Sequence, residues 1–210
     1  MWAVKREVPT FRQFSNFKPA KIRLSQRSYK QVSFQTKDDE KLRLVREFLH
    51  FDDYGVECGE SRQFRKCLYP IKNDVVTFPD GKEYQVRNLQ RLGVSLLRLS
   101  IMSSFMNVFK KSRHDICGLD FNYEEKMAHM SSSRRSPEIL LRRFIRHRFD
   151  RLARITMPEN AVPLRIHRVF DQRCFFAIVG YVSVINDHDK TTSLLREQVA
   201  KPILKKSFGI

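Results

Sequence analysis

The sequence predicts an α+β fold, with an antiparallel sheet covered by three to four helices and a basic N-terminal arm. Three observations support this fold: a turn signal between two alternating runs, several stretches with apolar residues at helical spacing, and an apolar, β-branched run near the C terminus. Hydrophobic residues make up 41 % of the 210 residues, which excludes a wholly disordered chain. We expect residues 1–27 to form a flexible arm and residues 28–210 a single domain, with a sub-boundary near 131–136.

The arm is polar, basic and interrupted by Pro9 and Pro19. Its phenylalanines recur at every third residue: Phe11, Phe14 and Phe17. They can either dock the arm on the domain or supply stacking groups for nucleic-acid bases. A basic, acid-poor N terminus is also typical of a mitochondrial transit peptide, although the two prolines argue against an amphipathic presequence.

The first two elements after the arm are expected to be a strand and a helix. Residues 28–35 are short and β-leaning, and they predict the first strand of the sheet. Residues 38–40 are all acidic and mark a first helical turn, where the helix dipole favours anions. Apolar residues then recur at helical spacing: Leu42, Val45 and Leu49. We therefore expect a helix over about 37–51 with one face in the core.

A hairpin is predicted over residues 74–86. Two alternating runs flank Pro79-Asp80-Gly81, in which proline presets φ and glycine adopts the positive φ of a tight turn. The next stretch, 88–110, is the most apolar helical segment, but Arg98 lies in its middle. An arginine at a bilayer centre costs at least about 2.5 kcal/mol. We therefore expect a buried central helix rather than a membrane span.

The second half of the chain begins with an expected linker at 131–135, followed by a helix over about 137–156 that Ser136-Pro137 initiates. A helical wheel divides this helix into an apolar side (Leu141, Ile145, Phe149 and Leu152) and a basic side (Arg142, Arg143, Arg146, His147 and Arg154). Residues 162–185 predict two strands separated by a turn at 171–173, the second of them buried on both faces. A last helix is expected from about Thr192 to Ala200, ending before Pro202.

The charge is the strongest functional signal. Lys and Arg number 40 against 23 Asp and Glu, a formal net charge of +17. Residues 1–36 hold eight Lys or Arg against one acidic residue, and residues 131–173 hold eleven Arg and no Lys against four acidic residues. Because Arg binds phosphate bidentately and stacks on bases better than Lys does, these two blocks predict a strongly negative partner.

We expect a non-enzymatic nucleic-acid-binding protein, with RNA favoured over DNA. The residues predicted to contact it are Arg142, Arg143, Arg146 and Arg154 on the helix, and Arg12, Lys18, Lys21, Arg23 and Arg27 in the arm. The alternatives for the helix are binding to an acidic protein or a membrane surface, and a surface element that pairs with the acidic segment 37–60. No cofactor and no metal are expected, and a homo-oligomer is left open.

Other patterns carry less weight. A zinc site could be assembled from Cys58, Cys67, His114 and Cys117, but the gap between the two first cysteines exceeds the usual ligand spacing, so we expect free thiols. Residues 187–189 (Asp-His-Asp) are expected to form a turn rather than a metal or acid–base site. Four scattered cysteines and no visible secretory signal predict a reducing, intracellular compartment, the cytoplasm or nucleus ahead of the mitochondrion.

In composition the chain is similar to two groups of small, basic, Phe-rich and Gly-poor proteins. One group is virus-encoded accessory and structural proteins, such as silencing suppressors, movement proteins and matrix proteins; the other is mitochondrial ribosomal proteins. The similarity implies a viral accessory RNA-binding protein first. The alternatives are a matrix-like protein that bridges an anionic membrane surface and nucleoprotein, and a mitochondrial ribosomal protein.

Overall fold

Helices form most of the structure. The structure is a computed structural model, and it describes residues 27–109, 136–149, 151–155 and 162–208. Within these ranges the α-helices are α1 (Arg27–Leu49), α2 (Ser61–Lys66), α3 (Val86–Phe109), α4 (Pro137–Arg148), α5 (Leu164–Ile185), α6 (His188–Leu194) and α7 (Lys201–Phe208). A 3₁₀ turn (Phe51–Tyr54) follows α1, and a π-helical turn (Leu195–Ala200) joins α6 to α7. Strands β1 (Val75–Thr77) and β2 (Glu83–Gln85) form an antiparallel hairpin. The chain divides into two compact units, Met1–Thr36 and Lys37–Ile210.

The core of the second unit is organised by α3 and α5, which pack directly against each other. Gly93 and Gly180 lie at the contact. A Cβ atom on Gly93 would fall 2.0 Å from the carbonyl oxygen of Phe176, and one on Gly180 would fall 2.0 Å from that of Leu89. Only glycine allows two helix backbones to approach this closely. Because α3, α4 and α6 all contact α5, residues 174–182 of α5 are buried on every side.

The prediction of two strands over residues 162–185 is wrong, because this stretch forms the helix α5. In an apolar run that is buried on all sides, polar residues do not recur at regular intervals, so the sequence offers no periodicity by which a strand can be distinguished from a helix. The polar residues 171–173 do not form a turn either. Asp171 is buried within α5, where its carboxylate accepts hydrogen bonds from the backbone N–H groups of Arg151 and Ala153 at 3.2 and 2.8 Å.

The expected strand at 28–35 is also wrong, because α1 begins at Arg27 and includes these residues. The helix expected over 37–51 corresponds to the second half of α1. Its predicted core stripe is confirmed, since three side chains of that half are buried: Leu42, Val45 and Leu49. The three-part sheet of the prediction therefore reduces, within the described residues, to the hairpin alone.

The hairpin itself is confirmed. Val76 pairs with Tyr84 across the two strands, and Gly81 adopts φ of 76° in the turn between them. Val76 and Phe78 are buried, and the Phe78 ring lies 5.2 Å from the ring of Tyr181 on α5. One face of the hairpin thus packs against α5, and its other face is exposed.

Two helix ends differ from the prediction. α4 ends at Arg148 rather than near 156, and Arg151 adopts a positive φ of 54° just beyond it. The C-terminal helix does not stop before Pro202 but continues to Phe208. The π-helical turn ends two residues before this proline, and its wider spacing accommodates a residue that cannot donate a backbone hydrogen bond.

The predicted central helix is confirmed as α3. None of the helices in the described ranges is long and apolar enough to cross a bilayer. Residues 1–26 of the predicted arm and the linker at 131–135 lie outside the described residues.

Candidate nucleic-acid interface

The short helix α4 separates an apolar face from a basic face. Ser136 precedes it in an extended conformation, and the Ser136 carbonyl accepts the N–H of Leu140 at 3.1 Å. The apolar face is buried: Leu140, Leu141, Phe144 and Ile145. The opposite face is exposed and carries Arg142, Arg143, Arg146 and His147. The sequence prediction for the amphipathic character of this helix is therefore confirmed.

Three guanidinium groups on this face have no ion-pair partner among the described residues. Within the described residues, no carboxylate lies within ion-pairing distance of Arg142, Arg143 or Arg146. Arg142 and Arg146 are one helical turn apart, about 6 Å along the axis. The acidic segment 37–60, which was the alternative partner of this helix, therefore does not neutralise them in the described structure.

The neighbouring arginine, Arg148, has a different role. Its guanidinium lies over the ring of Phe48 on α1, 5.1 Å from the ring centre. Phe48 also packs edge-on against Phe149, with ring centres 5.0 Å apart. Arg148 therefore helps to fix α4 against α1, through a cation–π contact.

A second basic surface lies between α4 and α7. A cavity of about 370 Å³ is lined there by Arg143, His147 and Lys206, with an apolar floor that includes Leu140 and Ile203. Among the described residues, no acidic side chain lines this cavity. The cavity extends the basic face of α4 onto the C-terminal helix.

Arg154 does not belong to this face, which corrects the sequence prediction. Because α4 ends at Arg148, Arg154 lies outside the helix, in the segment 151–155, where its backbone N–H donates to the carbonyl of Leu68 at 2.8 Å. Its Nε donates to Oδ1 of Asp38 at 2.5 Å, and the two side chains are only 14 % and 5 % exposed. A guanidinium that is buried against a carboxylate is not available to phosphate.

Asp38 is the centre of a buried polar cluster. Its second oxygen accepts the hydroxyl of Tyr69 at 2.6 Å. Burial, together with this hydrogen bond to a carboxylate, raises the pKa of Tyr69 to about 12. Lys41 donates to the backbone carbonyl of Arg151, and burial followed by repulsion from Arg154 lowers its pKa. This cluster holds α1, the 66–70 region and the 151–155 segment together, through the ion pair between Arg154 and Asp38 and the hydrogen bonds of Tyr69 and Lys41.

The predicted interface includes five residues of the arm. Four of its predicted contacts lie outside the described residues: Arg12, Lys18, Lys21 and Arg23. Arg27 is the first residue of α1. Of the nine predicted contacts, the structure thus places three on one exposed helical face and one in a buried ion pair.

The structure also contains a basic groove that the sequence patterns did not predict. It has a volume of about 700 Å³ and lies between α3, α5 and the loop before β1. Four arginines line it: Arg87, Arg91, Arg98 and Arg173. Three of these follow one face of α3, at positions i, i+4 and i+11, and that spacing is visible in the sequence.

The remaining sequence candidates do not form a site in the described structure. Cys58, Cys67 and Cys174 are free thiols. Burial raises the pKa of Cys67, which disfavours the thiolate form that binds metal. His114 and Cys117 lie outside the described residues. Among the described residues, no group of three or more His, Cys, Asp or Glu side chains is placed to hold a metal ion.

The turn expected at 187–189 is instead the start of α6. Asp187 precedes the helix, and its carbonyl accepts the N–H of Thr191 at 3.1 Å. His188 and Asp189 are exposed in the first helical turn.

Compared with models of protein families, with curated proteins and with solved structures, the chain matches none of them.

Proposed function

We propose that this chain is a non-enzymatic nucleic-acid-binding protein and that it holds the phosphate backbone of RNA against the exposed face of α4. The observation that carries the proposal is the unpaired state of Arg142, Arg143 and Arg146 on one rigid helical face, within the described residues. Each such arginine can bind a phosphate bidentately and release condensed counterions.

The packing of α4 makes this face suitable for backbone contacts. Its apolar side is buried in the core, so the helix is fixed and only the arginine side chains, not the backbone that carries them, must be ordered by the ligand. The cavity beside it adds His147 and Lys206 to the same surface. RNA is favoured over DNA because guanidinium planes also stack on the unpaired bases that RNA loops and single strands expose.

The test is the salt dependence of RNA affinity, measured by fluorescence anisotropy with a short labelled strand. The variant Arg142→Ala/Arg143→Ala/Arg146→Ala should bind more weakly. Because each lost phosphate contact removes about 0.7 from the slope of log K against log salt for single strands, the slope should fall by about 2.

A matched control removes the same charge elsewhere. Arg43, Arg62 and Lys190 are exposed on α1, α2 and α6, so replacing all three by alanine also lowers the net charge by three. The control should keep most of the wild-type slope. Equal losses in both triple variants would contradict the proposal, because they would show a general attraction without a defined interface.

A vesicle experiment separates this function from the membrane-bridging alternative. The same cations would attract anionic lipid headgroups. We expect the protein to stay unbound in flotation with phosphatidylserine vesicles at a salt concentration at which it binds RNA. Flotation under those conditions, in the absence of nucleic acid, would favour the matrix-like alternative instead.

A further inference from the structure

The groove between α3 and α5 combines cations and aromatic rings in one place. Arg87, Arg91 and Arg98 line it from α3, and Arg173 lines it from α5. Phe170 and Phe176 lie one helical turn before and one turn after Arg173, and they form an apolar floor together with Val94. The groove thus offers positive groups at its rim and aromatic surface at its base.

The charges of the groove are largely uncompensated. Arg98 donates from Nη2 to Oε1 of Glu138 at 2.8 Å. For the other three arginines, no carboxylate in the described ranges lies within ion-pairing distance, and no acidic residue lines the groove. Like charges that converge on one cleft repel each other and attract an anion into it.

The dimensions and the floor of the groove restrict the class of anion. A volume of about 700 Å³ is within the range of about 300–1,000 Å³ typical of small-molecule sites. Inorganic phosphate alone would leave the aromatic floor uncovered. A nucleotide covers both parts, since its phosphate meets guanidinium groups and its base stacks on aromatic side chains.

The groove also borders the interface on α4. Glu138, the partner of Arg98, lies in the first turn of α4, and Arg142 follows it one turn later. A strand on the exposed face of α4 therefore reaches the Arg98 end of the groove within about one helical turn.

We infer that the groove holds one unpaired nucleotide of a single-stranded RNA, with its phosphate against Arg87, Arg91 and Arg173 and its base against Phe170 and Phe176. This inference rests on the proposed function, and it adds a preference that α4 alone does not supply. A duplex keeps its bases stacked and paired, so it can contact α4 but cannot place a base in the groove.

The experiment compares a single-stranded RNA with the duplex of the same sequence. The variant Arg91→Ala/Arg173→Ala should weaken single-strand binding at least about tenfold, as expected for lost hydrogen bonds to a charged group. Its duplex affinity should match that of the wild type. Arg91→Lys/Arg173→Lys retains the charge, so its single-strand affinity should lie between that of the wild type and that of the alanine variant. Both arginines are exposed, and thermal unfolding checks that the variants fold.

A second variant tests the base-holding part without changing charge. Phe170→Leu keeps an apolar side chain but removes the ring. It should weaken single-strand binding while leaving the salt slope unchanged, since no phosphate contact is lost. An unchanged affinity would overturn the assignment of the aromatic floor.

Competition distinguishes the sources of the nucleotide. Adenosine monophosphate should displace the strand better than inorganic phosphate does, and only in proteins that retain Arg91 and Arg173. Equal competition by inorganic phosphate would overturn the inference. Tighter binding of the free nucleotide than of the strand would also overturn it, because the occupant would then not be RNA.

The failure of this inference and the failure of the proposed function give different results. If the α4 triple variant loses RNA affinity while Arg91→Ala/Arg173→Ala does not, the groove assignment alone is wrong. If the groove variant weakens binding and the α4 variant does not, the α4 interface is wrong and the groove assignment stands. Equal loss of single-strand and duplex binding in the groove variant would reduce the groove to a general attraction and overturn the inference.

Discussion

Nε of Arg154 lies 2.5 Å from Oδ1 of Asp38, although the two residues are 116 positions apart in the sequence. Both side chains are largely buried, and Tyr69 donates to the other carboxylate oxygen. The pair therefore fastens α1 to the segment that follows α4, and it holds in the interior an arginine that the sequence places with the surface cations.

Removing one partner of this pair should be strongly destabilising. Asp38→Asn leaves the Arg154 guanidinium buried without a counter-charge, and breaking a buried pair in this way costs about 3–5 kcal/mol. Chemical denaturation measures the loss. Asp52→Asn is the control, because Asp52 is 81 % exposed in its pair with Arg46 and should contribute less than about 1 kcal/mol. Similar losses in both variants would contradict the role of Asp38.

Arg154→Ala separates stability from binding. We expect this variant to unfold more easily but to keep the salt slope of RNA binding, because Arg154 is committed to Asp38 and makes no phosphate contact. The measurement is anisotropy at a temperature well below the unfolding transition. A slope reduced to the same extent as one α4 arginine would show that Arg154 reaches the ligand.

Ionisation of Tyr69 should lower the free energy of unfolding at alkaline pH. Its folded pKa is about 12 against an ordinary value of 10.0, so the folded state favours the neutral phenol. The contribution is complete below pH 10 and is lost as the pH rises toward 12. Tyr69→Phe removes the hydrogen bond to Asp38 and should cost about 1–3 kcal/mol at neutral pH. The gap between wild type and variant should close between pH 10 and 12 in denaturation experiments, and a constant gap would contradict the prediction.

Gly93→Ala should destabilise the contact between α3 and α5. Alanine ordinarily stabilises a helix by about 1 kcal/mol relative to glycine, but here the new Cβ would lie 2.0 Å from the carbonyl oxygen of Phe176. Because that atom is backbone, a helix must move, and we expect a loss of about 1–3 kcal/mol or more. Ser95→Ala, at an exposed site of the same helix, is the control and should change stability by less than about 0.5 kcal/mol. A stabilised Gly93→Ala protein would refute the close packing.

The described cysteines should differ in reactivity. Cys67 and Cys174 are fully buried, and burial raises the pKa of both thiols. Cys58 is only partly buried, although burial raises its pKa as well. N-ethylmaleimide should therefore modify Cys58 before Cys67 and Cys174 in the native protein, as measured by peptide mass mapping over time. Modification of Cys67 at the same rate would show that the interior opens readily.

Local signals in the sequence predicted the elements that have a period or a specific turn residue. The hairpin followed from Pro79-Asp80-Gly81, and the two faces of α4 followed from helical spacing. α5 could not be predicted in this way, because its central residues are buried on every side and present no polar face. Asp171 also contributed to the wrong prediction, because an aspartate in an apolar run is typical of a turn. In the structure it is buried in a helix, and its carboxylate accepts two backbone N–H groups from residues 151 and 153.

The same error hid the groove. Its wall on α3 is visible as the spacing of Arg87, Arg91 and Arg98, but its other wall is α5, whose apolar sequence predicts strands. A groove between two helices can be predicted only when both are recognised and their contact is known. That contact depends on Gly93 and Gly180, whose pairing across 87 positions leaves no local signal.

The π-helical turn at Leu195–Ala200 sets the rotational phase of the C-terminal helix. Each of its hydrogen bonds spans one residue more than in an α-helix. Deleting one residue from it would turn α7 by about 100°. Ile203 would then leave the core, and Lys206 would turn away from the cavity that it shares with Arg143 and His147. A single supernumerary residue thus aligns the last positive charges of the chain with those of α4.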